Sequence, residues 1–223
     1  MAAPIYSVLI ADVVQSSMRE DFRNILGQKL GVVTNRHRRQ KLIKLSYSVT
    51  AGDEFQTVVE NPTDIPQVIL DLRTYMYPLS LRIGVGIGRI SDRIQPPVNR
   101  LGGEAFLKAR AAIDIVKKES LYKFDVLTAF QSQDSLFDDT INLIYGLHDT
   151  LVLNITPKQW ATIKAVLDEP KLEGIAKELN LNVSTVSRNL KRGYYWQLTE
   201  TAKVAKSIIL GNFKNLHDKV QKS

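Results

Sequence analysis

The chain has 223 residues, 44% hydrophobic and 24% charged, a globular composition that excludes a mostly disordered chain. It has no cysteine, which excludes disulfides, thiolate zinc sites, iron–sulfur clusters and a cysteine nucleophile. The net charge of +7 is uneven: residues from Leu151 onward carry 12 Lys and Arg against 6 Asp and Glu, while those up to Thr150 carry 18 against 17. This split predicts two parts with different partners, the basic one facing a polyanion.

Ile5 to Val14 is nearly continuous apolar, β-branched sequence, which predicts a central strand buried on both faces. Ser16 and Ser17 cap a helix expected from Met18 to Gln40, with Gly31 a weak point and a basic end over 36–41. Leu45–Thr50 and Phe55–Val59 read as strands of a hairpin turning at 51–54. A helix follows over Ile65–Met76, then a strand over Leu79–Ile87. Gly84, Gly86 and Gly88 fall on one face of that strand, so something approaches it closely there. A polar loop holds Pro96-Pro97, and Gly102-Gly103 opens a helix to about Lys118. Tyr122–Ala129 is expected as a strand, and Gln131–Thr150 as a polar stretch with a connecting helix. The order is that of helices packed on a mixed sheet.

The last part reads as all helical. Thr156-Pro157 starts one helix, with Thr as N-cap and Pro at the first position. Two more are expected over Leu172–Leu179 and Val183–Arg192. A long last one has apolar positions Ala205, Ile208, Ile209, Phe213, Leu216 and Val220. Residues 173–192 fit a helix-turn-helix. Ala176 is small where helices cross, Asn180 suits a left-handed turn position, and Asn182 caps the next helix. Ile175, Leu179, Leu181, Val186 and Leu190 form the expected buried face. Ser184, Thr185, Ser187, Arg188, Lys191 and Arg192 are then the expected DNA contacts, as hydroxyls and cations meet phosphates and guanine edges. The competing reading is a three-helix bundle for protein contact. Tyr194-Tyr195-Trp196 suits a core or dimer contact better than a base-stacking platform. The long last helix suits dimerisation, so a homodimer is expected.

Asp12 interrupts the buried strand, and an isolated carboxylate there is costly. It therefore needs a partner. Asp53 and Glu54, in the neighbouring hairpin, make a hard-cation site for Mg²⁺ or Mn²⁺ with Asp12, commonly completed by a nucleotide phosphate. Against this, hairpin tips are often simply acidic and solvated.

The segments ADVVQSS, AGDEF, LRIGVGIG and GGEAFLKAR resemble the class III nucleotide cyclase core and the related GGDEF domain. The resemblance implies that Asp12 and Asp53, or Glu54 in the GGDEF alignment, bind metals. It implies that Gly52, Lys108 and Arg110 meet the nucleotide, with Arg110 in the catalytic role of stabilising the transferring phosphate. Phe106 stands where cyclases have an asparagine, and Val49 where they have the adenine-selecting lysine. Those departures point to binding rather than efficient catalysis. Arg110 and Lys108 also have plain helical partners in Asp114 and Glu104. Residues 155–192 resemble the helix-turn-helix of sigma-factor region 4, LuxR and MarR-type regulators. The whole arrangement resembles the SatD family of bacterial proteins.

The expected architecture is α+β. A ferredoxin-like or cyclase-like mixed sheet with helices occupies 1–130, 131–154 connects, and a small all-α helix-turn-helix domain occupies 155–223. Met1–Val14 lacks the basic start of a signal peptide, and no apolar run approaches the ~20 residues that span a bilayer, so a cytoplasmic protein without membrane contact is expected. The leading functional expectation is a DNA-binding regulator whose first part binds a nucleotide with a divalent cation. The alternatives are an active nucleotide cyclase or nucleotidyltransferase with a nucleic-acid-binding tail, and a dimerising scaffold joined to a DNA-binding module.

Overall fold

The computed structural model describes residues 4–14, 22–91, 93–119, 121–169 and 171–221, with side chains to residue 213. The expected capping serines, Ser16 and Ser17, and the helix start at Met18 lie outside the described residues.

The first part runs β1 (Tyr6–Val13), α1 (Phe22–Arg39), β2 (Ser48–Ala51), β3 (Glu54–Val59), α2 (Ile65–Met76), β4 (Leu81–Gly88), α3 (Glu104–Lys117) and β5 (Thr128–Gln131). The fold is α+β, with a mixed five-stranded sheet in the order β2-β3-β1-β4-β5. Neighbours are antiparallel except β4 and β5, which run parallel. The last strand is shorter and later than expected. Residues 122–127 are not strand, because Tyr122 and Phe124 stack on each other and close over Gly146 instead.

β1 is apolar throughout because both faces are covered. Leu9, Ala11 and Val13 join α1 and α2 in one core, and Val8 and Ile10 join α3 in another. The glycine face of β4 receives α3. A Cβ on Gly84 would stand 2.4 Å from the Ile113 nitrogen, and one on Gly86 2.1 Å from the Ala105 oxygen. The helix backbone lies directly on the strand, which any side chain there would prevent.

Five helices follow among the described residues: α4 (Ser135–Leu153), α5 (Pro157–Asp168), α6 (Leu172–Glu178), α7 (Val183–Arg192) and α8 (Tyr195–Gln221). The polar stretch before residue 150 hides a buried stripe. Phe137, Ile141 and Tyr145 enter the sheet core. Asp149 of α4 meets Arg73 of α2 at 3.3 Å, both nearly sealed from water. Arg73 also donates to the Leu81 and Leu127 carbonyls, and the Leu127 N–H donates to Asp149 at 2.8 Å, so one charge pair ties α2, β4, α4 and the approach to β5.

The helices after residue 155 pack around Trp160, Ile163, Ile175, Val186, Leu190 and Leu198, in a core that Leu70 of α2, Val152 of α4 and Leu127 also enter. They also dock on the sheet layer. Arg36 of α1 donates to the Leu167 carbonyl, and Tyr75 of α2 donates to Asp168. Ala205 and Ile209 of α8 return to the sheet core beside α2 and α4. Leu216 and Val220, expected to continue that face, lie beyond the described side chains.

Candidate functional site

The first candidate lies where β1, the β2–β3 turn and α3 meet. Asp12 stands opposite Arg82 in the sheet register, on the face toward α3, and is 6% exposed. Its Oδ2 takes the Lys117 ammonium at 3.0 Å, and its buried Oδ1 has no hydrogen-bond donor among the described residues. Gly52 turns the hairpin at φ +57°, a conformation that glycine adopts without strain. That turn delivers Glu54 to the start of β3. Both its carboxylate oxygens accept from Arg110, at 2.5 and 2.6 Å, and Thr50 adds a bond at 3.0 Å. Lys117 lies 3.6 Å from the same carboxylate. Arg110 and Lys117 are seven residues apart on α3, two turns along one face, so the helix aims both cations at the two acids. The Arg110 fork holds the Glu54 carboxyl below its usual range despite burial, and Glu54 in turn raises the Arg110 guanidinium.

The result is a neutral cluster of two carboxylates and two cations. Lys117 is the member that reading the sequence missed; its only signal was the seven-residue spacing from Arg110. Asp53 sits half-buried in the turn. Among the described residues no three His, Asp or Glu side chains group as a metal site. Mg²⁺ and Ca²⁺ sites take six or more oxygens, and this donor set falls short of that on its own, because both acids already face cations. Lys108, the other expected nucleotide contact, is not brought to this cluster. It lies two residues from Arg110, on another side of α3, and pairs with Glu104 at 2.7 Å while reaching the Ile87 carbonyl.

The second candidate is α7. Asn180 takes φ +51°, and the Leu181 N–H returns to the Ala176 carbonyl at 2.8 Å, which closes a tight turn after α6. Asn182 caps α7 by accepting from the Thr185 N–H at 2.8 Å. Val186 and Leu190 are buried, and Asn189 ties the helix to Thr162 of α5 at 3.1 Å. Leu181, expected inside, is instead exposed at the turn. Ser184, Ser187, Arg188, Lys191 and Arg192 face water, while Thr185 is half-buried. Tyr194 and Tyr195 pack against the helical core, and Trp196 is half exposed.

Residues 6–209 match the sequence profile of the SatD family. The chain belongs to the SatD family. No curated protein matches this SatD chain. One solved structure similar to it is that of a regulator of polyketide synthase expression from Bifidobacterium adolescentis. The two share 16% identity over 95% of the SatD chain and 83% of the other, at a TM-score of 0.30, too low to place them in one fold. No helix among the described residues of the SatD chain is long and apolar enough to cross a membrane.

Proposed function

We propose that this SatD-family protein is a DNA-binding regulator that inserts α7 of a helix-turn-helix into the major groove. The observation that carries the reading is the division of α7 between two faces. Val186 and Leu190 fasten one face to the helical core, and Ser184, Ser187, Arg188, Lys191 and Arg192 are left to solvent on the other. Hydroxyls and cations on a helix held only from behind are the side chains that reach phosphates and guanine edges. The charge excess after Leu151 supports the same reading. Titration of a labelled mixed-sequence duplex across a salt series tests it. Arg188→Ala should weaken binding and lower the slope of log K against log salt by about 1. A wild-type protein that leaves duplex DNA unbound at low salt would sink the proposal.

One observation favours a second role for the first part. The open, buried Oδ1 of Asp12 is an acceptor without a donor among the described residues. Nucleotide phosphates would supply the oxygens that Asp12 and Glu54 lack for a divalent cation, with Lys117 displaced from Asp12. A thermal-shift screen of nucleoside triphosphates with Mn²⁺ should then stabilise the wild type and not Asp12→Asn. Equal melting points with and without ligand count against it.

A further inference from the structure

We propose that the exposed apolar face shared by α4 and α8 is where two copies of this chain associate. On α4, Leu136, Leu143 and Leu147 are 75%, 47% and 57% exposed, whereas Phe137, Ile141 and Tyr145 of the same helix are buried. Steps of seven and four residues set the three leucines in one stripe. Val204 of the neighbouring α8 is 47% exposed, and the two helices border a groove of about 580 Å³ whose walls include Ile144, Leu147, Leu151, Thr201 and Val204. The same helices give their opposite sides to the sheet core, through Ile141 and Tyr145 on one and Ala205 and Ile209 on the other. The outward face is therefore not needed for the fold of the single chain.

Charge identifies the occupant. The ionisable groups lining the groove are Glu200 and the buried His148, and each already has a partner, Lys203 at 2.9 Å and Asp149 at 3.3 Å. A nucleic acid or an anionic membrane surface would call for surplus cations there. A second copy of the same groove, whose two ionisable groups are already paired, calls for none, and an isologous contact sets leucine stripe against leucine stripe, with the exposed Asp139 left at its rim. The size is sufficient. The 19 residues of α4 extend roughly 28 Å, and two helices side by side span roughly 20 Å. Each copy would cover on the order of 560 Å², and the pair on the order of 1,100 Å², just above the ~1,000 Å² expected of a specific interface. The contact is a four-helix packing of α4 and α8 from each copy.

Sedimentation equilibrium of the full chain without DNA tests this independently of the DNA-binding proposal. The wild type should run at twice the chain mass at micromolar concentration. Leu143→Glu combined with Leu147→Glu should run as a single chain, with the dissociation constant raised at least ~100-fold, because two carboxylates per copy would be buried unpaired. Circular dichroism should be unchanged, since both positions are exposed in the single chain. If that variant misfolds, Val204→Glu makes the same test from α8. Leu107→Glu, at a 73% exposed position on α3, should stay dimeric. A wild type of single mass throughout, even one whose groove takes up an apolar dye, overturns the proposal. So does a folded α4 or α8 variant that remains dimeric, or dissociation by Leu107→Glu as well.

Discussion

In the sheet layer, Asp12, Glu54, Arg73 and Asp149 are all nearly buried, and each meets an opposite charge within 3.3 Å. On α7, Arg188, Lys191 and Arg192 are exposed and form no ion pair among the described residues. The difference follows from solvation. A charge withdrawn from water must be compensated locally or it destabilises the fold, and once compensated it is committed to the structure. A charge left in water costs the fold nothing and stays available to a ligand. The same residue types therefore serve as fasteners in one region and stay exposed to solvent in the other.

The strongest way to break this comparison is Arg73→Met. It leaves Asp149 buried without its cation and should cost about 3–5 kcal/mol in denaturant unfolding at neutral pH. Burial works to raise the Asp149 carboxyl, but Arg73, His148 and the Leu127 N–H together hold it below its ordinary value. In the wild type its contribution is therefore present above the unfolded-state pKa of ~3.9 and is lost as pH falls through the lower folded value. Without Arg73 the strongest influence opposing burial is gone, so the folded carboxyl should rise. The deficit of the variant should then be largest at neutral pH and shrink on acidification. A deficit independent of pH would assign the loss to packing rather than charge.

Gly86→Ala tests the sheet layer without touching charge. The new Cβ would meet backbone atoms of Ala105 and Ala109 at 2.1 and 2.2 Å, so α3 must lift from β4. A loss of about 3 kcal/mol is expected, read as a lower melting temperature. Because α3 carries Arg110 and Lys117, the grip on Glu54 and Asp12 should loosen with it.

Asn180→Ala probes the helical region. At φ +51° any Cβ crowds the following carbonyl, and alanine lacks the short polar side chain that offsets this for asparagine, costing about 1 kcal/mol, whereas Asn180→Gly removes the Cβ and should be tolerated better. The smallest expected effect on folding is that of Arg188→Ala, within about 0.5 kcal/mol of wild type. A large stability loss there would show that the α7 charges also fasten the fold and would erase the contrast between the regions.

Much of the candidate chemistry was legible locally. The alternation of Gly84, Gly86 and Gly88 foretold a close approach, and the structure supplies it as α3. Asn180 and Asn182 marked a left-handed residue and a cap at the positions where each is found. Asp12, as a carboxylate in an apolar strand, announced that it needed a partner. The identity of that partner was hidden, because Lys117 lies more than a hundred residues away and looks like an ordinary basic helix end. Lys108 misled for the complementary reason: it sits in the same basic helix but on another side. Leu181 looked like core because it follows an apolar pattern, yet the turn at Asn180 rotates it outward.

By itself, then, the sequence determined the elements that rest on short-range rules. These are the strand and helix order, the caps, the glycine face, and the concentration of positive charge after Leu151. They are set by backbone sterics, periodicity and composition, each read within a few residues. Only the tertiary structure decided which charges neutralise one another, that α4 lends one stripe to the sheet core, and that α8 returns from the helical part to that same core. Those outcomes depend on desolvation, and a side chain's distance from water is fixed by segments far from it in the chain.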